Sequence, residues 1–253
     1  MMLESLKNRT ILVTGASSGI GRTTAILLSH YCNNIVITAR REKELNDTLQ
    51  MMEKGNHQMI ITDLRQSSEI DHLAKHIPPI DGWAHCTGKV LPVPVKYIQQ
   101  KHYEDVFQTN YLSAVYLLSY LLKYNKLNTK ASIVFISSIS TLHTYFGGAL
   151  YTSSKAALES YARTVALELA PKQIRVNVLQ PALVKTVIYE NTINAAVDQE
   201  EIKKYEKQYP LGIGDPQDVA NMIVFLLSDA SKWMTGTFTK MDGGLTLGFN
   251  KSD

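Results

Sequence analysis

Short apolar runs recur along this chain, with helically spaced stretches between them. The runs are Thr10–Val13, Ile35–Thr38, Met59–Ile61, Gly82–Cys86, Ser132–Ile136, Arg175–Leu179 and Phe238–Met241. They lack in–out alternation, as expected for strands covered on both faces. Helical patterns fall at 22–31, 41–52, 67–76, 97–124, 151–169 and 216–227. Strands and helices in turn predict an α/β fold: one doubly wound, mostly parallel seven-stranded sheet with helices on both faces. A chain of 253 residues, 45% apolar and 19% charged, can fill such a core. No repeat or linker interrupts it, so 1–253 is expected to be a single domain. The polar stretch 185–209, between a strand and a helix, is expected to form a flexible lid.

Composition narrows the partners. A net charge of +3 on scattered basic residues gives no nucleic-acid footprint. Cys32 and Cys86 are far apart and read as reduced core thiols. MMLESLKNRT has no apolar signal core, and Tyr111–Leu122 is too short and too polar to span a bilayer. A cytoplasmic protein without a membrane partner is expected. His72 and His76 lie four apart, but no acid completes a zinc motif, so no metal is expected.

The first strand runs into TGASSGIG, in which Gly15, Gly19 and Gly21 precede a helix. Glycine lets backbone approach a phosphate closely, and a helix N-terminus offers it free N–H groups. Gly15, Ser17, Ser18, Gly19, Ile20 and Gly21 are the candidate phosphate loop. The second strand ends in Ala39-Arg40-Arg41. No acid stands there for ribose hydroxyls, whereas Arg40 suits a 2′-phosphate, which favours NADP(H) over NAD(H). Asp63, followed by Leu64, is placed to accept from an adenine amino group.

Tyr151 and Lys155 lie four apart, on one face of a helix. A free Tyr titrates near about 10, and a neighbouring ammonium lowers that value toward the range useful for acid–base work. Without further context such a pair would be surface decoration.

TGASSGIG, Asp63, Asn110, Ser138, Tyr151, Lys155, Arg175-Val176-Asn177 and Pro181 stand in an order and spacing that resembles the short-chain dehydrogenases/reductases. From Pro210-Leu211-Gly212 to Asp242-Gly243-Gly244 the chain is similar to the 3-oxoacyl-acyl-carrier-protein reductase branch. The resemblance implies a Rossmann-type domain that reduces a ketone or aldehyde to an alcohol with NADP(H). It implies that Tyr151 moves the proton and that Lys155 lowers the Tyr151 pKa and holds the nicotinamide ribose. Ser138 would bond the substrate oxygen, and Asn110 would hold a water linking Lys155 to solvent. Gly88 would let backbone approach the cofactor, beside Pro181, and Thr186 would touch the nicotinamide carboxamide. A homodimer or homotetramer is implied too, consistent with apolar or tyrosine residues beyond one core stripe: Tyr116, Tyr120, Ala157 and Tyr161.

Two positions depart from the family. His85-Cys86-Thr87-Gly88 replaces Asn-Asn-Ala-Gly, and His85 reads as a hydrogen-bonded structural substitute. Pro181-Ala182 replaces Pro-Gly, and Ala disfavours positive φ. His143, Tyr145, Phe146 and 184–189 are expected to line the substrate. Two other functions fit the same residues. One is reduction of 3-oxoacyl groups on an acidic carrier protein, which would use Lys123, Lys126, Lys130 and Lys172. The other is a nucleotide-sensing scaffold without chemistry.

Overall fold

The computed structural model describes residues 3–186, Tyr189 and 206–248. Seven strands form one sheet: β1 (Thr10–Thr14), β2 (Asn34–Ala39), β3 (Gln58–Ile61), β4 (Ile80–His85), β5 (Leu127–Ile136), β6 (Arg175–Pro181) and β7 (Phe238–Met241). Their order is β3-β2-β1-β4-β5-β6-β7, and every pairing is parallel. The chain steps outward from β1 to β3, then returns to lay β4 on the other side of β1. That reversal opens a crevice at the carboxyl ends of β1 and β4, where ligands of such sheets bind.

The helices are α1 (Gly19–Ser29), α2 (Glu42–Met51), α3 (Ser67–His76), α4 (Gln100–Phe107), α5 (Ser113–Lys123), α6 (Ala149–Leu169) and α7 (Pro216–Leu227). Successive strand residues face opposite layers. Leu12, Trp83, Ile133 and Phe135 pack with α3, α5 and α6. Ile11, Val13, Ala84 and Val134 pack with α1, α2 and α7. Both layers bury their strand residues completely, at about 1.5–3 kcal/mol for each large side chain. Arg175 and Asn177 serve the fold. Arg175 donates to the carbonyls of Leu226 and Ser228 at the end of α7, and Asn177 clamps Met234 and Thr237 before β7.

Three elements differ from the sequence expectation. The helix expected over 97–124 is a 3-10 turn at Val95–Tyr97, then α4, a π-helical turn at Gln108–Leu112, and α5. β5 begins at Leu127, because polar Asn128 and Lys130 flank a register shift and Lys130 has φ 65°. α6 begins at Ala149, which puts Tyr151 in its first turn. Most of the stretch expected as a lid, 190–205, lies outside the described residues.

Three of the four lysines expected to meet a carrier protein lie toward the opposite end of the sheet from Ser138. Lys126 and Lys130 stand at the amino end of β5, and Lys172 just before β6. Ser138 follows the opposite end of β5, roughly 25 Å away at strand spacing. Tyr120 and Tyr161 are occupied within the chain. Tyr120 bonds Ser67 at 2.8 Å, and Tyr161 packs edge-on to Tyr111 and beside Phe135, whereas Tyr116 stays exposed. His72 and His76 stack on each other, with the His76 ring bonded to the His72 carbonyl. Among the described residues no group of three or more His, Cys, Asp or Glu could hold a metal, and no helix is long and apolar enough to cross a membrane.

Candidate active site

The loop from β1 into α1 is built around absent side chains. Gly15 and Gly19 have φ of +70° and +53°. A Cβ on Gly15 would stand 2.9 Å from backbone atoms of Cys86 and Thr87, and one on Gly21 would stand 2.3 Å from the Gly15 carbonyl oxygen. The Ser18 side chain caps no N–H of α1. The first N–H groups of the helix, with their partial positive charge, therefore remain for an anion in the crevice.

Arginines brace this loop. Arg22 donates to the Ser17 carbonyl at 2.6 Å and the Glu44 carbonyl at 3.0 Å. Arg41, at the start of α2, donates to the Ser17 and Ser18 hydroxyls at 3.0 and 2.8 Å. Sequence reasoning chose Arg40. Both arginines line the crevice, but it is Arg41 that touches the loop. The choice depends on side-chain direction, which one sequence does not display. Asp63 binds Arg65 through both carboxylate oxygens, at 2.6–3.1 Å. Burial pushes the Asp63 carboxyl up, but the bonds and charge of Arg65 outweigh it and hold the group below the usual carboxylate range.

On the other flank, Ser138 follows β5 and stands beside the Tyr151 phenol, whose pKa it lowers. The Ser138 hydroxyl also accepts from the Ser140 N–H at 3.1 Å. Lys155 is buried one turn beyond Tyr151. Its Nζ lies 5.8 Å from the Tyr151 ring centroid and donates to the Ile136 carbonyl at 2.8 Å. The electrostatics differ from the sequence expectation. Burial pushes the Tyr151 phenol up, only partly offset by Ser138. Burial also lowers Lys155 to about 8, against the attraction of Cys86 and Glu159. In the protein alone, desolvation sets the direction of the phenol's shift. The place of Tyr151 in the first turn of α6 adds a favourable dipole for a phenolate.

Asn110 lies in the π-helical turn, a distortion frequent at functional sites. Its Oδ1 accepts from the Lys89 N–H at 2.7 Å, and its Nδ2 donates to the Lys89 carbonyl at 2.9 Å and to Ser154 at 3.0 Å. The side chain thus has both polar atoms engaged by protein groups. It fixes the segment in which Gly88 passes Lys155, where a Cβ would come 3.3 Å from Nζ.

His85 is buried between β1 and α5. Nδ1 meets Thr14 at 2.9 Å and Nε2 meets Ser113 at 3.3 Å. Ser113 gives its one proton to the Thr109 carbonyl, so it accepts from Nε2–H, and Thr14 donates to Nδ1. That assigns a neutral imidazole, and burial with the nearby Lys155 charge lowers its pKa to about 3. An unfolded His titrates near about 6.5. The folded value is depressed, so the unfolded chain binds the extra proton, and stability falls as pH drops from about 6.5 toward 3. We expect His85→Asn to flatten this acid slope in urea unfolding measured between pH 7 and 4; an unchanged slope would count against a neutral His85. At the other departure, Ala182 is absent from the positive-φ residues and donates to the Met241 carbonyl at 2.9 Å, so alanine fits without strain.

These parts share one cavity of about 1040 Å³. Its walls include Gly15, Ser17, Ser18, Gly19, Ile20, Gly21, Arg40, Asp63 and Leu64, and also Gly88, Ser138, Tyr151, Lys155, Pro181 and Thr186. Of the catalytic and cofactor-binding residues expected at the site, Asn110 alone is not on the wall. Thr186 sits nearer the phosphate loop than expected, its methyl 3.2 Å from where a Gly19 Cβ would be. His143, Tyr145 and Tyr189 line the cavity, whereas Phe146 lines a separate groove outside it. Sequence reasoning missed Arg41, Arg65 and Lys89 on these walls. A nicotinamide dinucleotide fits the donor set. The glycine cradle and the arginines are groups such a ligand would engage.

The comparisons with known proteins agree with this geometry. A family model described as enoyl-(acyl carrier protein) reductase matches residues 15–246. A tropinone reductase homolog of Arabidopsis thaliana is 30% identical over 96% of this chain and 93% of its own length. A 3-oxoacyl-[acyl-carrier-protein] reductase of Rickettsia felis is 28% identical over 96% of this chain and 98% of its own. The solved structure of a short-chain type dehydrogenase/reductase from Mycobacterium ulcerans superposes with a TM-score of 0.87 at 28% identity, covering 96% of this chain and 91% of that one. A glucose/ribitol dehydrogenase-type structure from Brucella melitensis gives 0.88 at 25% identity, covering 96% and 99%. Other relatives are named as dehydrogenases of glucose and of 7alpha-hydroxysteroids, so the shared chemistry is that of the alcohol and carbonyl groups. By sequence, fold and site together, the chain belongs to the short-chain dehydrogenase/reductase family, oxidoreductases whose membership implies a nicotinamide cofactor.

Proposed function

We propose that this protein reduces a ketone or aldehyde to an alcohol with NADPH, reversibly. The observation that carries the reading is the convergence of the Ser138 and Tyr151 hydroxyls with the Lys155 ammonium on the cavity wall across from the glycine cradle. When bound, the cofactor supplies the hydride. Hydride addition builds negative charge on the carbonyl oxygen, and donors fixed at that point stabilise it. Ser138 holds the oxygen, Tyr151 gives it a proton, and Lys155 keeps positive charge beside the phenol. Asn110 acts as a positioning residue, through Lys89 and Ser154. A purified-enzyme assay of NADPH oxidation against a panel of ketones and aldehydes tests the reading, and no turnover beside tight NADPH binding would favour a non-catalytic sensor.

The preference for NADPH rests on Arg40 and Arg41 at the end of β2, where an acid would be needed for a free ribose. Arg41 already orders the Ser17 and Ser18 hydroxyls, so guanidinium and hydroxyls together suit a 2′-phosphate. A charge-assisted bond of this kind contributes about 1.5–3 kcal/mol. Arg41→Ala should therefore lower the NADPH/NADH ratio of kcat/KM by about tenfold or more, the larger loss falling on NADPH. A ratio equal to that of the wild type would remove Arg41 from cofactor choice.

Small-molecule substrates in a cytoplasmic homo-oligomer complete the reading. Exposed Tyr103, Tyr116 and Leu167, on α4, α5 and α6, support subunit packing. The aromatic lining from Tyr145, Tyr189 and Tyr209 suits an apolar substrate.

A further inference from the structure

Glu159 is a buried acid that the reaction outlined above does not use. It lies two turns beyond Tyr151 on α6, about 12 Å along the axis, with Lys155 midway. Its Oε1 accepts from Ser137 at 2.6 Å, from Gln180 Nε2 at 2.8 Å and from Thr141 at 3.0 Å. These donors come from two elements. Ser137 and Thr141 bracket Ser138 in the turn after β5, and the one Thr141 hydroxyl proton is shared between Glu159 and the Ser138 carbonyl, each 3.0 Å away. Gln180 is the residue before Pro181, at the end of β6.

We propose that Glu159 is a positioning residue for the reaction: its carboxylate ties the turn carrying Ser138 and the end of β6 to the helix carrying Tyr151 and Lys155, and it supplies the counter-charge for Lys155. The proposal rests on the carbonyl-reductase reading. The geometry gives one acid three donors from two elements, and Lys155 stands four residues before it on the same helix, with no ion pair joining the two among the described residues. The other α6 side chain bonded beside this turn is Lys155, which donates to the Ile136 carbonyl just before it at 2.8 Å, so Glu159 is the one that holds the side chains of the turn itself. Ser137 and Gln180 are themselves buried, so removing their acceptor leaves donors that water cannot readily satisfy. The groups facing Lys155 are Tyr151 and Glu159 on its own helix, and Cys86 and neutral His85 at the end of β4. The Cys86 thiol is pushed up to about 12 by burial, and Glu159 is the other acid whose charge raises Lys155.

Two variants separate position from charge. Glu159→Gln keeps an acceptor oxygen and removes the charge, whereas Glu159→Ala removes both. For Glu159→Gln, kcat at pH 6 should stay within about twofold of the wild type. Its alkaline limbs, in NADPH affinity by fluorescence titration and in kcat, should move down by roughly half a pH unit or more, because Lys155 loses its proton earlier. Glu159→Ala should lose about tenfold or more in kcat at every pH, through displacement of Ser138. A merely structural acid would lower the melting temperature without moving either limb. An unmoved NADPH-binding limb in Glu159→Gln overturns the proposal, whether or not Glu159→Ala folds. The binding limb needs no substrate. If the wild type reduces nothing, the parent reading has failed, and the charge assignment is still decided by that limb.

Discussion

Tyr151→Phe is expected to bind NADPH within a few-fold of the wild type and to lose about 10³-fold in carbonyl reduction. The substitution removes one oxygen from a side chain in the first turn of α6 and leaves the ring in place. No glycine of the phosphate loop and neither arginine of the β2 end touches that oxygen, whose assigned partner is Ser138. The loss would therefore fall on kcat, because Ser138 alone holds the developing charge but has no proton poised by an ammonium. Stopped-flow NADPH oxidation on a confirmed substrate, with Kd from cofactor fluorescence, separates the two effects. Retention of wild-type turnover would place the proton donor elsewhere.

Gly21→Ala should abolish measurable NADPH binding at micromolar concentrations while the chain still folds. The added Cβ would stand 2.3 Å from the Gly15 carbonyl oxygen and 2.7 Å from its carbon, so backbone must move. Gly15 has little room to yield, since its own Cβ position is already 2.9 Å from the backbone of Cys86 and Thr87. The clash is thus passed to the loop that faces the phosphates. Overpacking of this kind costs about 1–3 kcal/mol, and each kcal/mol lowers Tm by about 2–4 °C in a domain of this size. Gly214→Ala is the matched control: its Cβ meets nothing nearer than 3.6 Å, and it should change neither Tm nor binding. Wild-type NADPH affinity in Gly21→Ala would mean that this loop does not hold the cofactor.

The sheet was legible in the sequence because its strands are buried on both faces and leave unbroken apolar runs, as at Ile35–Thr38. The glycine loop was legible because only a strand, a turn and a helix follow one another there. What escaped has physical reasons too. The π-helical turn at Gln108–Leu112 keeps helical composition, so Asn110 looked like an oddity within one long helix. The start of β5 was hidden by polar Asn128 and Lys130, which sit where the strand is irregular. Arg41 and Arg40 are neighbours with the same chemistry, and only packing against Ser17 and Ser18 distinguishes them. Glu159 carries no signal in the sequence, because its partners at 137, 141 and 180 meet it only in the fold. The expected depression of the Tyr151 pKa followed from spacing alone, and burial, which spacing does not reveal, acts the other way.

Isotope transfer reaches the central claim most directly. NADPH carrying deuterium at C4 of the nicotinamide would be incubated with the purified protein and a carbonyl substrate found in the panel. The alcohol would then be analysed by mass spectrometry and NMR. The account predicts deuterium on the carbinol carbon of the product, from one C4 face only, with the hydroxyl proton drawn from solvent through Tyr151. An alcohol without deuterium on that carbon, or label carried equally from both C4 faces, would contradict it.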